Sequence, residues 1–229
     1  MKKQATKIKI CGLTEEKEAD YLNQIHADFA GMVVFFPKSK RNISLDQAKK
    51  IKAELLPEIK TVAVTVSPTL AQISQIAEAG FDLIQIHGEP ADLDIKTAKS
   101  ICEYTNKLSL PILKAFNVSD IDSYNCWQSC PSVAGFVFDA AKPGSGKTFD
   151  WTLLKNLPRS KKLFMLAGGL MPENVSNAIC FLHPDGVDVS SGVEFIEKDR
   201  PGKDPYRIQA FAEAVQLADK QLTSKYLSI

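Results

Sequence analysis

Residues 7–14 of the chain read KIKICGLT, a stretch that combines a strand, a reactive side chain and a turn. Ile8 and Ile10 alternate with lysines, and this period of two is typical of a β-strand. Cys11 ends the run, and Gly12 and a threonine follow where a helix can begin. The stretch therefore predicts the first strand–helix unit of an α/β fold. Cys11 is a candidate nucleophile or base, or else a small buried side chain, which is the commoner role of a lone cysteine.

The same unit recurs along the whole chain. Apolar runs return about every 20 to 30 residues, the length that one strand, helix and return connection require. They are nearly continuous in apolar residues, as expected for parallel strands buried on both faces. The eight predicted strands are Lys7–Cys11, Phe29–Phe36, Thr61–Val66, Leu83–His87, Ile112–Ala115, Gly135–Asp139, Leu163–Ala167 and Val187–Ser190.

Eight strand–helix units in 229 residues, with no linker or low-complexity segment between them, predict one (β/α)₈ (TIM) barrel domain over residues 1–229. A doubly wound open sheet is the alternative. Such sheets usually have fewer strands, and no Gly-x-Gly-x-x-Gly follows the first strand here.

Capping and breaking residues predict the helix boundaries. The Ser44–Gln47 stretch forms a capping-box pattern before a helix over 48–56, and Pro68-Thr69 opens the next helix, which Gly80 closes. Ser119 can cap the fifth helix. The other predicted helices are Ala91–Tyr104, Trp151–Leu157, Glu173–Leu182 and Asp204–Thr223, and residues 224–229 are expected to form a loosely held tail.

Composition excludes several functional classes. The net charge of +1 and the absence of a basic run argue against a nucleic-acid partner. No apolar run approaches the ~20 residues that a membrane helix needs, and the first residues lack the apolar segment of a secretory signal. We therefore expect a cytoplasmic protein with neither nucleic acid nor membrane as partner, and a monomer rather than a dimer.

The five cysteines support the same location. Their number is odd and the chain is not small, so we expect reduced thiols rather than a disulfide framework. Cys126 and Cys130 have neither a second pair nor a nearby histidine that would complete a zinc site. We therefore predict no metal site.

Reactive residues and glycines collect at the carboxyl ends of the predicted strands, where barrel enzymes have their active sites. Gly168 and Gly169 follow the seventh strand, and Ser190, Ser191 and Gly192 follow the eighth. Small residues let backbone N–H groups approach an anion, and barrels that bind phosphorylated substrates use these two loops. Tight turns would explain either loop alone, whereas the two together predict a phosphate site.

Cys11 and Asp139 are candidates for a base and an acid. A thiol needs only a modest decrease in pKa to act as a base near neutral pH, and an apolar barrel mouth can keep a carboxyl protonated. Two groups with separated pKa values suit an isomerase that opens a ring and moves a proton. The alternative for Asp139 is a carboxylate that caps a helix.

Two further residues and one loop complete the predicted site or its surroundings. His87 ends the fourth strand, and we favour a substrate contact over catalysis. Arg41 lies in a basic loop with Lys38 and Lys40, which we expect to be solvated, and its planar guanidinium suits a carboxylate partner. The Gly144–Thr148 stretch resembles part of a nucleotide-binding loop but has Ala141 where the pattern needs glycine, so it predicts a mobile loop over the substrate.

Motifs along the whole chain resemble those of one family, the phosphoribosylanthranilate isomerases of tryptophan biosynthesis. The matching motifs are Lys9-Ile-Cys-Gly12, Phe36-Pro-Lys-Ser39 with Arg41 and Ser44, Gln85-Ile-His-Gly88, Gly144-Ser-Gly-Lys-Thr-Phe-Asp-Trp151, Gly168-Gly-Leu-Met-Pro-Glu-Asn-Val175, Val187-Asp-Val-Ser-Ser-Gly-Val-Glu194 and Pro201-Gly-Lys-Asp204.

The resemblance implies a cofactor-free (β/α)₈ barrel that catalyses an Amadori rearrangement of N-(5-phosphoribosyl)anthranilate. By position, Cys11 matches the general base of the family and Asp139 its general acid. Arg41 matches the arginine that pairs with the anthranilate carboxylate, and His87 and Asp188 match residues that line the site. The phosphate loops match at residues 169, 191 and 192.

Departures from the family pattern concern substrate packing more than chemistry. The third strand ends in Ser67 where the family more often has asparagine, Asn42 replaces a frequent aromatic residue, and the loop after Asp139 is short.

Other phosphosugar-binding barrels remain alternatives. Histidine-pathway sugar isomerases usually pair two aspartates, which Cys11 does not match. Indole-glycerol-phosphate synthase needs a strand-end lysine, and Lys114 near the end of the fifth strand has no strand-end glutamate to support it. A catalytically inactive phosphate-binding barrel is the alternative outside enzymes.

Overall fold

The computed structural model describes residues 5–88, 95–117, 124–139, 151–155, 157–197 and 200–227. Within them, eight parallel strands form a closed barrel in chain order, and the eighth pairs with the first. The predicted (β/α)₈ barrel is confirmed. The strands are β1 Lys7–Cys11, β2 Phe29–Val33, β3 Lys60–Val66, β4 Leu83–His87, β5 Ile112–Asn117, β6 Val133–Asp139, β7 Leu163–Leu166 and β8 Gly186–Val189.

Helices alternate with these strands. They are α1 Lys17–Gln24, α2 Leu45–Ala53, α3 Leu70–Glu78, α4 Ile95–Lys107, α5 Tyr124–Gln128, α6 Thr152–Lys155, α7 Val175–Leu182 and α8 Pro205–Leu227, with a short 3₁₀ helix at Ser191–Val193. None of these described helices combines the length and the apolarity that crossing a bilayer requires.

Side chains alternate between two apolar layers, which explains why the strand sequences lack a polar face. One set, including Ile8, Ile10 and Ile84, packs with the helices. The other set points into the barrel and forms a separate cluster that includes Val62, Leu113, Val137 and Met165. Both faces of the strands are therefore buried, as in other parallel sheets covered by helices.

The local capping chemistry differs from the predicted pattern. The hydroxyl of Ser44 accepts a hydrogen bond from the backbone N–H of Gln47, so α2 begins at Leu45, earlier than predicted. The full reciprocal capping box forms instead at α3, between Thr69 and Gln72. The predicted start of the fourth helix and the predicted cap at Ser119 lie outside the described residues.

The ends of the chain and the cysteines correct two expectations. Helix α8 continues to Leu227, so residues 224–227 are helical and not a loose tail. A disulfide joins Cys102 on α4 to Cys130 after α5, whose Cα atoms are 6.0 Å apart. The expectation of five reduced thiols is therefore wrong for this pair. A sequence separation of 28 residues carries no pairing signal of its own.

Gly135 on β6 lies where two neighbouring strands pack closely, so a substitution there tests that packing. A Cβ atom built there would lie 2.7 Å from Leu163 Cβ and 2.8 Å from the Leu163 carbonyl oxygen, on the adjacent strand. We expect Gly135→Ala to lower the free energy of unfolding by about 1–3 kcal/mol because the strands must separate to admit the methyl group. Urea denaturation would measure the loss.

The neighbouring residue provides the control. Ala134 is exposed on the same strand, so Ala134→Ser should change the free energy of unfolding by no more than about 0.5 kcal/mol. Equal stability of Gly135→Ala and the wild-type protein would contradict the packing argument.

Candidate active site

The carboxyl ends of the strands open into one pocket of about 180 Å³. The structure brings nine of the ten predicted site residues to its wall, namely Cys11, Arg41, His87, Asp139, Gly168, Gly169, Asp188, Ser190 and Ser191. Gly192 lies behind them, in an adjoining cavity that also includes Gly169 and Ser191. Residues far apart in the chain thus meet because parallel strands end at the same rim.

An ion pair that we did not predict lies beneath the pocket. Lys9 is fully buried inside the barrel, and its Nζ lies 2.9 and 2.8 Å from the two carboxylate oxygens of Asp188. Burial lowers the pKa of Lys9, but Asp188 and Cys11 outweigh it and hold the pKa above its ordinary value. Lys9 is therefore a buried cation. The sequence pattern does not distinguish this lysine from a solvent-exposed polar residue on an alternating strand.

The Cys11 thiol lies above this ion pair. Burial raises its pKa above the ordinary value, although the Lys9 ammonium opposes the change. The surroundings of Cys11 therefore do not by themselves supply the decrease in pKa that a thiol base needs. Formation of the thiolate at Cys11 therefore depends on the cations in its surroundings.

Glu194 holds three basic groups at the pocket rim. Its carboxylate is 2.5 Å from Arg41 Nε, 2.8 Å from Lys40 Nζ and 3.3 Å from Lys203 Nζ. Burial raises the pKa of Glu194, but the Arg41 hydrogen bond and the charges of Lys203 and Lys40 lower it to about 2. Arg41 is thus fixed through its Nε, which leaves the other edge of the guanidinium for a ligand.

Two loops form the candidate phosphate site. Gly168 and Gly169 have positive φ angles of 86° and 63°, which side chains other than glycine rarely adopt. A Cβ at Gly192 would overlap the carbonyl oxygen of Leu170, so the two loops touch backbone to backbone. Asn174 Nδ2 donates to the Gly169 carbonyl at 2.9 Å and fixes the first loop. The Ser190 hydroxyl donates to the Cys11 carbonyl at 2.9 Å and fixes the second.

His87 lines the pocket as a neutral imidazole. Burial, with smaller contributions from Lys114 and Lys9, lowers its pKa to about 3. The side-chain amide nitrogen of Gln85 lies 2.8 Å from His87 Nε2, an assignment that places the imidazole proton on Nδ1. Among the described residues, Gln85 Oε1 is buried without a partner. A neutral histidine suits a hydrogen-bonding contact with a ligand rather than proton delivery.

Asp139 ends β6 and lines the same pocket after the buried run Phe136–Phe138. It is three strands from Cys11 around the barrel, so the two groups reach a ligand from different sides. The predicted mobile loop at 144–148 and the short loop after Asp139 lie outside the described residues. At the departures from the family pattern, Asn42 Oδ1 accepts a hydrogen bond from the Phe36 N–H at 2.7 Å, and Ser67 adopts a φ of 45°.

The Glu194 carboxylate at the pocket rim makes the stability of the fold depend on pH. Its pKa is about 2 in the fold and 4.5 ordinarily, so the unfolded chain binds more protons between these values. The stability that the carboxylate contributes is present above pH 4.5 and is lost as the pH falls from 4.5 to about 2. We expect Glu194→Gln to weaken the protein at pH 7 and to flatten this acidic loss of stability, measured by chemical denaturation at each pH.

Glu173 serves as the control because its carboxylate is exposed and contacts Arg207 at 3.3 Å. Glu173→Gln should leave the shape of the stability curve unchanged, since exposed ion pairs contribute little. An acidic transition that is identical in Glu194→Gln and wild-type protein would contradict the proposed charge cluster.

Comparison with known proteins agrees with this geometry. The sequence profile of a family described as N-(5'-phosphoribosyl)anthranilate (PRA) isomerase matches residues 8–214. The N-(5'-phosphoribosyl)anthranilate isomerase of Streptococcus mutans is 38% identical over 214 residues, which cover 92% of this chain and 99% of that protein. The enzyme of the same name from Moorella thermoacetica is 36% identical over 219 residues, covering 93% and 91%.

Solved structures show the same similarity. A phosphoribosyl anthranilate isomerase in complex with reduced 1-(o-carboxyphenylamino)-1-deoxyribulose 5-phosphate is 32% identical, with a TM-score of 0.72, over 92% of this chain and 98% of that chain. A second structure with the same values shows mutually generated monomers of the dimeric enzyme from Thermotoga maritima.

Proposed function

This chain belongs to the N-(5'-phosphoribosyl)anthranilate isomerase family, and we propose that it converts N-(5'-phosphoribosyl)anthranilate into 1-(2-carboxyphenylamino)-1-deoxyribulose 5-phosphate in tryptophan biosynthesis. One observation carries the proposal. A thiol, a carboxyl group and two glycine-rich loops line one pocket at the rim of the barrel. These are the groups that an acid–base isomerisation of a sugar phosphate needs.

Asp139 acts as the general acid. It gives its proton to the furanose ring oxygen while the C1–O bond breaks, and the anilino nitrogen forms a protonated Schiff base with C1. The neutral state of His87 supports this choice, because an imidazole with a pKa of about 3 carries no proton to deliver at neutral pH.

Cys11 acts as the general base. As a thiolate it removes the proton from C2, and the electrons of that C–H bond form the C1–C2 double bond while the Schiff-base nitrogen becomes neutral. The resulting enolamine tautomerises to the ketose when C1 gains a proton and the C2 hydroxyl loses one. Overall the reaction moves hydrogen within the substrate, and the thiol and the carboxylate return to their starting states.

Both ends of the substrate are anionic, and both have matching groups at the rim. The backbone N–H groups of the loops at 168–169 and 190–192 face the phosphate, where glycine permits close approach. The edge of the Arg41 guanidinium left free by Glu194 pairs with the anthranilate carboxylate. His87 and Asp188 contact the substrate between these ends, and no cofactor takes part.

The buried position of Lys114 argues against the indole-glycerol-phosphate synthase alternative. Its Nζ donates to the Ile86 carbonyl at 3.1 Å and lies over the rings of Phe116 and Trp127, on the helix side of the barrel. It does not belong to the described lining of the pocket. Lys114 therefore does not supply the strand-end lysine that the indole-glycerol-phosphate synthase reaction needs.

A cytoplasmic location and a monomeric state are part of the same proposal. A substrate with a phosphate and a carboxylate does not cross a bilayer unaided, which supports synthesis and use inside the cell. The large exposed apolar residues are spread over α3, α7, α8 and the segment after β8, and they are Leu70, Phe181, Ile196, Tyr206 and Leu217. Light scattering after gel filtration distinguishes a monomer from the dimer known for the Thermotoga maritima relative.

Asp139→Asn tests the acid, and Cys11→Ala tests the base. The asparagine keeps the shape of the side chain but cannot deliver a proton, so we expect kcat to fall by about 10²–10⁴-fold while KM changes little. Cys11→Ala should abolish turnover with little loss of product affinity. The measurement is the disappearance of phosphoribosylanthranilate fluorescence with purified protein.

Cys180→Ala provides the matched control because Cys180 is a free thiol on α7, away from the pocket. This variant should keep the wild-type kcat. Absence of turnover in the wild-type protein would favour an inactive phosphate-binding barrel. Undiminished kcat in Asp139→Asn or Cys11→Ala would refute the corresponding assignment.

Gly169→Val tests the phosphate loops. The side chain should block the close approach of backbone N–H groups and raise KM, and inorganic phosphate should inhibit the wild-type enzyme competitively. Gly80→Val is the control, since Gly80 also has a positive φ, of 74°, but ends α3 away from the pocket. It should lower stability without raising KM. A sulfate soak that places no anion between the two loops would count against the site.

A further inference from the structure

Lys9 is a fully buried cation for which the proposed reaction has no role. The described residues that line the pocket include Asp188 and Cys11 but not Lys9, so its ammonium group does not reach the substrate. We propose that Lys9, held by Asp188, is a positioning residue that stabilises the thiolate of Cys11 from beneath the pocket. The inference rests on the proposed function, because it explains how a buried thiol becomes the base of that reaction.

Strand geometry places the two groups together. Lys9 and Cys11 are two residues apart on β1, so both side chains point into the barrel, one layer above the other. Lys9 pairs in register with Asp188 on β8, and Cys11 pairs with Gly31 on β2. The carboxylate therefore lies beside the ammonium group, and the thiol lies above it.

The hydrogen-bonding capacity of Lys9 fits this arrangement. An ammonium group has three N–H donors. Its Nζ lies 2.9 and 2.8 Å from the two Asp188 oxygens, so the carboxylate engages two of the three donors. Asp188 thus holds the cation at a fixed position in the layer beneath the thiol.

Gly31 provides the space for this contact. A Cβ atom built at Gly31 would lie 3.1 Å from Cys11 Sγ and 3.1 Å from Lys9 Nζ. The sulfur and the ammonium nitrogen therefore lie against the same bare stretch of β2 backbone. Any larger residue at this position would push at least one of them away.

The charges around Cys11 oppose the increase in pKa that burial of the thiol causes. Lys9 on its own strand and Lys203 before α8 attract a thiolate, Asp188 on β8 repels it, and Gly31 on β2 brings no charge. The effect of Lys9 on the Cys11 pKa exceeds that of Asp188. Lys9 itself keeps its proton, so it is not a competing base.

The test measures the pKa of Cys11 in the free protein from the rate of iodoacetamide alkylation against pH. Mass spectrometry of the peptide that contains Cys11 separates it from the other thiols. The main variant is Lys9→Met combined with Asp188→Asn, because removing both charges avoids the unpaired buried carboxylate that destabilises the single variant. We expect the Cys11 pKa to rise in the double variant.

The single variant Lys9→Met should also raise the Cys11 pKa, by about 1–3 units, because the cation beneath the thiol is lost. In Lys9→Met, which leaves the substrate contacts in place, kcat for phosphoribosylanthranilate should fall, KM should change little, and the acidic limb of the kcat/KM profile should move to higher pH with the thiol. Gly31→Ala keeps every charge but separates sulfur from nitrogen, so it should also raise the Cys11 pKa.

Lys114→Met is the matched control, because it removes another fully buried lysine whose ammonium group lies outside the pocket. It should leave the Cys11 pKa unchanged. An unchanged or lower Cys11 pKa in the double variant would overturn the proposal, and so would an equal shift in Lys114→Met. Alkylation needs no turnover, so a wild-type protein without isomerase activity would refute the proposed function while leaving this link between Lys9 and Cys11 testable.

Discussion

The register between the first and last strands is the constraint on which the site depends. Closing the barrel pairs β1 with β8 and sets Lys9 directly beside Asp188, residues 179 positions apart in the chain. A buried lysine and a buried aspartate are each costly alone, and leaving either one unpaired costs about 3–5 kcal/mol. The ion pair therefore favours the one register in which Cys11, at the end of β1, stands next to the loop that follows β8.

The buried carboxylate of Glu18 and the half-buried one of Glu194 extend this organisation from the strands to the loops. Glu18 accepts hydrogen bonds from the N–H groups of Thr14 and Lys203, at 2.6 and 2.7 Å, and so joins the turn after β1 to the segment before α8. Glu194 collects Arg41 and Lys203 at the rim. Each carboxylate links segments distant in sequence, so the basic groups that meet an anionic substrate are fixed before it binds.

The acid and the base of the proposed reaction differ in their surroundings. Asp139 ends β6 at the pocket, whereas Cys11 ends β1 and stands over a cation that opposes the effect of burial on its pKa. His87 lines the same pocket in a neutral state and is suited to hydrogen bonding. One barrel rim can thus offer a proton donor and a proton acceptor at the same pH, which is the requirement for moving hydrogen between adjacent carbons.

The sequence by itself determined the architecture and predicted which groups are reactive. Apolar runs at the spacing of strand–helix units predict the barrel, because each unit must bury both faces of its strand, and strand-end residues such as Cys11 and Asp139 follow from that topology. The glycines of both candidate phosphate loops could be predicted because they follow strand ends, and their positive φ angles or close backbone contacts leave few other residues possible.

Only the tertiary structure decided which charges meet. The sequence shows Lys9 on an alternating strand and Glu194 in a polar loop. Neither pattern predicts that the residue forms an ion pair with a partner more than 150 residues away. The disulfide between Cys102 and Cys130 and the raised pKa of the Cys11 thiol escaped prediction for the same reason. Burial and Coulomb interactions depend on distances in space, and local sequence patterns fix those distances only within one strand, turn or helix.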